Sequence, residues 1–190
     1  MSRFRRPDRR AGIAATEFAL IAPVVLLLML ATADLAGSLG VQMRVDETAS
    51  EIAEVVTQYQ QIYAGDFPTL FSAAQQMAGS TPVTGTFGAS IISGIVNLGD
   101  GPTIAWQQKS PGVNGFKSQF GSPGSTPTLP DTYSLPAGDS LIAVEIFTEA
   151  TSWVLSVHFI GGPGNTVLGA YALFQPRSAL LSQITAGNRP

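Results

Sequence analysis

Side chains able to do acid–base or nucleophilic chemistry are sparse in this chain. It has one histidine, His158, and no cysteine, so neither thiol chemistry nor a zinc site of the usual composition is available. His158 lies in an apolar stretch, where a lone histidine is usually structural. Glu145 and Glu149 would share one face of a predicted strand and form a conceivable carboxylate pair, but we expect both to be solvated.

Motifs and charge argue against catalysis and nucleic-acid binding. No Gly-x-Ser-x-Gly, phosphate-binding Gly-x4-Gly-Lys or EF-hand pattern is present, so we expect no enzyme activity, cofactor or metal. The net charge of −3 conceals an asymmetry, because five arginines precede Gly12 (Arg3, Arg5, Arg6, Arg9 and Arg10). After Ala33 there are five basic and eleven acidic residues, which leaves no basic surface for nucleic acid.

The basic N-terminus is followed by an apolar run from Ile13 to Ala33, uninterrupted from Phe18 to Ala31. The length suits one membrane crossing, and the arginines orient the N-terminus to the cytoplasm. A secretory signal cleaved after Ala33 is an alternative, since Ala31-Thr32-Ala33 fits a cleavage site. The pair Arg5-Arg6 raises a twin-arginine signal, but the apolar residues expected just after the pair are missing.

Two features favour retention of the apolar run. Glu17 lies within it, where an acid costs about 2.5–3.5 kcal/mol near the bilayer centre, and a disposable signal has no reason to keep it. Helical periodicity also continues beyond Ala33 and predicts one helix from about Ile13 to Tyr63. Gly37 and Gly40 are expected to bend this helix near the outer membrane surface.

The residues Gly12-Ile13-Ala14-Ala15-Thr16-Glu17-Phe18 resemble the processing site of type IV prepilins. With the continuation to Pro23 and its leucine-rich run, the sequence resembles more narrowly the TadE-like pseudopilins, minor pilins of the tight-adherence (Tad/Flp) pilus. The resemblance implies that a prepilin peptidase cuts after Gly12 and leaves Ile13 as the new N-terminus. It also implies a structural protein of the bacterial inner membrane whose partners are the lipid bilayer and other pilins and pseudopilins.

The chemistry of this constellation is intelligible by itself. Glycine at position 12 lets the backbone fit a protease, because it adds no side chain. Cleavage would place an ammonium at Ile13, at the positive end of a helix dipole. Glu17, about 6 Å further along the axis, could neutralise that charge or the ammonium of a neighbouring subunit. Pro23 is tolerated in a membrane helix and is expected to kink it.

We predict an α+β fold, in which the long transmembrane-plus-amphipathic helix precedes a small antiparallel sheet domain packed on helices. The expected boundaries are a leader (1–12), a transmembrane helix (13–33), an amphipathic extension (34–64) and an extracytoplasmic domain (65–190). Asp66 is expected to cap a short helix that buries Leu70, Phe71, Ala74 and Met77. Strands are predicted at Ser90–Leu98, Thr103–Gln108, Ser140–Thr148 and Thr166–Gln175, with the last two as covered central strands, and a strand or short helix within Trp153–Ile160.

The segment Ser110–Ala137 contains five spaced prolines and is predicted to be a long loop. It is either a mobile surface loop or a contact in an assembly. An alternative function for the whole chain is therefore an unprocessed, membrane-anchored binding module of the cell envelope, with this loop gripping a ligand. The third possibility is a secreted protein that begins at Asp34.

Overall fold

The structure is a computed structural model that describes residues 9–112, 115–130, 133–150, 166–177 and 180–189, with side chains from Ile13 onward. It contains two compact units. One comprises Gly40–Ala150 with Thr166–Pro190, and the described part of the other is helical up to Leu39. The predicted element at Trp153–Ile160, which includes His158, lies outside the described residues.

The first element is a helix, α1, from Arg9 to Thr57, with Pro23 inside it. The predicted continuation to Tyr63 is wrong for the last six residues. Gln58 and Tyr59 donate their backbone N–H groups to the carbonyls of Val55 and Val56, both at 3.2 Å, which tightens the last turn and ends the helix. Ile62–Tyr63 then form a short strand, β1, paired in parallel with the last strand, β6 (Ile184–Thr185).

The second helix, α2, spans Asp66–Ala78 and is preceded by Gly65 in the N-cap position. The expectation that Asp66 caps it is wrong, because the Asp66 carboxylate instead accepts the backbone N–H of Tyr63 at 3.0 Å. Three of the four residues predicted to be buried on α2 are buried, but Met77 is exposed. Phe67 and Ala78, near the two ends of the helix, are buried as well. The buried residues are Phe67, Leu70, Phe71, Ala74 and Ala78.

Four antiparallel strands form the main sheet, in the order β3-β2-β4-β5. They span Gly88–Asn97 (β2), Pro102–Lys109 (β3), Ser140–Ala150 (β4) and Thr166–Phe174 (β5). The four predicted strands are thus confirmed. Every residue of β4 from Ser140 to Thr148 is buried, as expected of a central strand. The strand β5 is instead an edge strand with exposed side chains at Val167 and Tyr171, so the expectation of a covered central strand fails there.

Side chains alternate between the two faces of the sheet, and each face has its own cover. One face packs against α1 and α2, with Ile92, Trp106 and Ile142 contributed by the strands. The other face, which includes Ile95 and Leu141, is covered by residues of the long loop, with Phe120 and Leu135 buried there. The described part of Ser110–Ala137 has no helix or strand, as predicted, but it completes the domain core. The architecture is therefore α+β, as the sequence indicated.

Candidate interaction surface on the N-terminal helix

The most conspicuous surface of the described chain is the apolar segment of α1, which we define as Phe18–Ala31. All of its large side chains are solvent-exposed, from Val25 at 45% to Leu20 at 77%. An 18-residue window in this helix has a mean hydropathy of 2.4, and none of it is buried. A core helix of a soluble protein would bury such a window, whereas the part of the chain that the structure describes leaves the apolar segment uncovered.

The apolar residues of this segment surround the helix completely. Successive residues of an α-helix point about 100° apart, so fourteen consecutive apolar residues cover every side of the axis. An amphipathic stripe would indicate packing on one neighbour, whereas apolar character all round is typical of a helix in lipid or inside a bundle. The arrangement is consistent with a single-pass membrane anchor.

Hydroxyl groups on either side of the apolar segment donate hydrogen bonds to backbone carbonyls of α1 itself. Thr16 donates its hydroxyl to the carbonyl of Ile13, and Thr32 donates to Leu28, both at 2.8 Å. Ser38 donates to the carbonyl of Asp34 at 2.9 Å. Because these donors are satisfied within the helix, they do not require water, and they are compatible with an apolar environment.

The four residues singled out from the sequence all lie in α1. The described part of α1 begins at Arg9, so Gly12 and Ile13 both lie within the helix. Ile13 and Glu17 are exposed and one helical turn apart, hence on the same side of the axis. Pro23 lies within the helix and deprives the carbonyl of Ala19 of its usual N–H donor. The processing, charge-pairing and kink roles remain predictions.

Further along the same helix, a second stretch is packed instead of exposed. We define the packed segment as Val45–Val56, where six side chains at helical spacing are buried in the compact unit Gly40–Ala150 with Thr166–Pro190. The buried residues are Val45, Thr48, Ala49, Ile52, Ala53 and Val56. The acidic residues of this segment (Asp46, Glu47, Glu51 and Glu54) remain exposed, so this part of α1 is amphipathic, as the sequence predicted.

The candidate carboxylate pair has a different environment from the one expected. Glu145 is fully buried in β4, and its carboxylate accepts hydrogen bonds from the Ser118 hydroxyl and, at 2.7 Å, from the Gln119 N–H, both in the long loop. Burial raises the pKa of Glu145, while these two hydrogen bonds and the nearby charge of Lys109 act in the opposite direction. The expectation of a solvated Glu145 is therefore wrong.

Glu149 is half-buried on the same strand. The two hydrogen bonds of Glu145 identify it as an anchor for the loop, since both donors come from that loop. Sequence reasoning missed this anchor because its partners are 26 and 27 residues away along the chain. The only available signal was an acid inside an otherwise apolar strand.

A second polar cluster was also missed. Arg189 forms an ion pair with Asp66 at 3.1 Å and stacks over the ring of Tyr59. Arg189 is 123 residues from Asp66 along the chain, so no local pattern could have indicated this cluster. Across the described residues, no group of three or more His, Asp or Glu side chains is placed to hold a metal ion.

Comparison with protein families gives a match that covers most of α1. No curated protein and no solved structure matches the chain. The matching region begins at Gly12, includes the apolar segment, and ends within the packed segment. The resemblance read from the sequence is thereby confirmed for this part of the chain: residues 12–54 match the family model described as TadE-like protein.

Proposed function

We propose that this chain is a membrane-anchored structural component of a Tad (Flp) pilus, a pseudopilin that acts in building the pilus and has no enzymatic role. The leader (1–12) lies in the cytoplasm, residues 13–33 cross the inner membrane, residues 34–64 extend beyond it, and residues 65–190 complete a periplasmic domain. The other pilins and pseudopilins of the machinery are its partners, and the incorporation of the chain into the extracellular filament is compatible with this role.

One observation carries the proposal: the TadE-like match starts at Gly12, the residue that the resemblance to prepilins gives as the processing site, and covers a helix with a segment that is apolar on every side. A helix of this kind is stable only in lipid or among other apolar helices. The same apolar surface would therefore contact lipid before assembly and the helices of other pilins during assembly.

Processing by a prepilin peptidase requires local unwinding of α1. Proteases bind their substrates in extended form, and the Gly12–Ile13 bond lies within α1. Glycine weakens a helix by about 0.5–1 kcal/mol relative to alanine. Opening the chain at Gly12 therefore costs less than opening it at an alanine of the same helix.

Glu17 then supplies the charge partner for the new N-terminus. In lipid, a carboxylate and an ammonium are each costly alone, and their pairing removes both costs together. An ammonium at Ile13 of the same chain or of a neighbouring subunit would serve, since Ile13 and Glu17 lie on one side of the helix. This pairing would fix the axial register between neighbouring helices.

The experiment is mass spectrometry of the N-terminal peptide of the protein recovered from membranes of its native host, in the presence of an active prepilin peptidase. We expect a peptide that begins at Ile13, and a Gly12→Val variant that retains the leader. Gly37→Val is the matched control, because Gly37 lies in the same helix, outside the cleavage site, and should leave processing unchanged. A mature protein that begins at Met1 or Ser2 would refute processing, and one that begins at Asp34 would indicate a secreted protein.

The charge-pairing step has its own variant in the same experiment. Glu17→Ala should be cleaved normally, since the altered residue lies beyond the bond, but should be depleted from the pilus assemblies that copurify with it. Thr16→Ala, one residue earlier on the helix, is the control. Equal recovery of Glu17→Ala and the natural protein in such assemblies would remove the charge-pairing step while leaving the anchor intact.

A further inference from the structure

The guanidinium of Arg189 is surrounded by groups that each favour a cation. Its Nη2 atom lies 3.1 Å from Oδ2 of Asp66 and 3.4 Å from the carbonyl oxygen of Gln61. Its central carbon lies 4.3 Å from the ring centroid of Tyr59 and 5.9 Å from that of Tyr63. A carboxylate, a carbonyl and two aromatic rings within these distances form an aromatic cage for a cation.

The cage is built independently of the side chain that fills it. The Asp66 carboxylate is oriented by the backbone N–H of Tyr63, and only 14% of its side chain is exposed. The Tyr63 hydroxyl donates to Oε1 of Gln61, whose amide nitrogen donates to the Thr185 hydroxyl at 2.6 Å. These bonds position the Tyr63 ring and the Asp66 carboxylate without Arg189, and the Tyr59 ring packs against the hydrophobic core.

The segment that carries Arg189 is anchored just before it. Besides the β1–β6 pairing, Ala64 donates its N–H to the carbonyl of Thr185 at 2.9 Å, and Gly65 donates to Gly187 at 3.1 Å. Asn188 lies so close to Gly65 that a Cβ there would be 2.0 Å from the Asn188 side-chain oxygen. The residues just before Arg189 are thus held in place and position it at the cage, while 47% of its own side chain remains exposed.

The cage also opens to solvent through a cleft with room for more than one side chain. The cleft has a volume of about 440 Å³ and is lined by Gln58, Tyr59, Gln60, Gln61, Tyr63 and Arg189. This volume falls within the range of known ligand sites. Its wall is aromatic and amide in character, without an aliphatic side chain, which suits a planar cation that needs both stacking and hydrogen-bond acceptors.

We propose that this cage is a binding site for an arginine side chain of a partner protein, and that Arg189 occupies it as an internal competitor. A partner's guanidinium would stack on Tyr59, pair with Asp66 and displace Arg189 into solvent. Because Arg189 is tethered, it competes at an effective concentration in the millimolar range or higher, so the free chain keeps the site closed to weak ligands. The site is independent of the pilus role proposed above.

The experiment uses the full chain in detergent micelles with a blocked arginine (N-acetyl-arginine methylamide) as the probe, followed through the ring resonances of Tyr59 and Tyr63 by NMR. Arg189→Gln should bind the probe at least about fivefold more tightly than the natural chain, because the competitor is gone. Arg177→Gln is the matched control: Arg177 pairs with Glu54 at 3.7 Å on an exposed surface and leaves the cage occupied. Its affinity should equal that of the natural chain.

Two further variants in the Arg189→Gln background test the cage itself. Asp66→Asn and Tyr59→Leu should each weaken binding of the probe at least about tenfold, because each removes one of the two strongest contacts. Tyr133→Leu, which alters a tyrosine outside the cleft, should not weaken it. In case Arg189→Gln does not fold, the natural chain with an excess of probe should release Arg189, seen as a shift of its side-chain Nε–H resonance.

Equal affinity of the natural chain and Arg189→Gln, or binding that is insensitive to Asp66→Asn, would overturn the proposal. So would a blocked lysine that binds as tightly as the blocked arginine, because the planar guanidinium is what the two rings and the carboxylate are arranged to accept. A natural chain that shows no Arg189 displacement at any probe concentration, together with an Arg189→Gln chain that binds nothing, would equally refute it.

Discussion

Two stretches of the same helix make opposite use of apolar side chains. In the packed segment, Val45–Val56, the apolar residues recur on one side and are buried, while four acids remain on the exposed sides. In the apolar segment, Phe18–Ala31, they occupy every side, and all the large ones are exposed. Both stretches are helical, so the difference lies in the number of apolar residues and in their distribution around the axis.

The comparison shows that the distribution of apolar residues around a helix indicates whether the helix packs on one surface or is surrounded by apolar material. A single stripe corresponds to a single surface, which the chain supplies itself through α2 and the sheet. Apolar residues on all sides need cover on all sides, which no part of one small domain provides. The apolar segment thus requires a surrounding medium or several partner helices, and the packed segment requires neither.

The largest contrast is expected from truncating one side chain in each stretch. Ile52 is only 1% exposed and belongs to the core between the two helices and the sheet. Ile52→Ala should therefore lower the free energy of unfolding of the domain by about 2–5 kcal/mol. Leu26, 59% exposed, makes no such core contribution, and Leu26→Ala should change it by less than about 0.5 kcal/mol. Urea unfolding of the full chain in micelles, followed by tryptophan fluorescence, measures both.

A comparable loss in both variants would contradict the comparison, because it would mean that the apolar segment contributes to the stability of the domain. Leu26→Ala should instead act on association, and its effect would appear in the recovery of pilus assemblies. The two readouts therefore separate folding of the domain from packing with other chains.

Local pattern predicted most of this structure. The spacing of Leu70, Phe71 and Ala74 indicated the buried side of α2, and alternating or continuous apolar runs indicated the four main strands. The position of a strand within the sheet could not be predicted from its own sequence. Both β4 and β5 have apolar residues on both faces, yet β4 is central and β5 is at the edge of the described sheet. Which strand has two neighbours depends on the whole topology and not on the strand itself.

Contacts between distant residues account for the features that were missed. The helix α1 ends at Thr57 because the chain leaves to pair Ile62–Tyr63 with Ile184–Thr185, more than 120 residues away. Asp66 fits the pattern of a helix cap, but its carboxylate accepts the Tyr63 N–H and forms an ion pair with Arg189. In both cases, a tertiary contact overrides a local preference that was read correctly.

Glycines allow a second comparison of the two environments. A Cβ on Gly94, in β2, would lie 2.3 Å from the ring of Trp106, whereas a Cβ on Gly37, in α1, would meet nothing within 4 Å. Gly94→Ala should therefore displace the indole and weaken its N–H bond to Leu181, at a cost of about 1–3 kcal/mol.

The corresponding change in α1 should have the opposite sign. Gly37→Ala should stabilise the helix by about 0.5–1 kcal/mol, since alanine restricts the unfolded backbone. Thermal unfolding followed by circular dichroism at 222 nm compares the two. A destabilising Gly37→Ala would show that another surface approaches the helix at this point, and a neutral Gly94→Ala would show that the Trp106 ring can move aside freely.

The smallest effect concerns Glu145, the acid that is buried in β4 beneath the long loop. Burial raises the pKa of Glu145 above its unfolded value, so the folded chain holds a proton that the unfolded chain has already lost. This group therefore stabilises the fold fully below its unfolded pKa, and that contribution is lost as the pH rises through the folded value.

Glu145→Gln replaces this acid by a neutral group of the same shape, which can still accept the Gln119 N–H and can donate to the Ser118 hydroxyl oxygen. The variant should therefore gain stability relative to the natural chain as the pH rises from about 4 to 7. Urea midpoints measured across this range test the sign. A relative stability that falls with pH would mean that the two loop donors outweigh burial, and that the loop is held by a carboxylate the fold prefers to keep ionised.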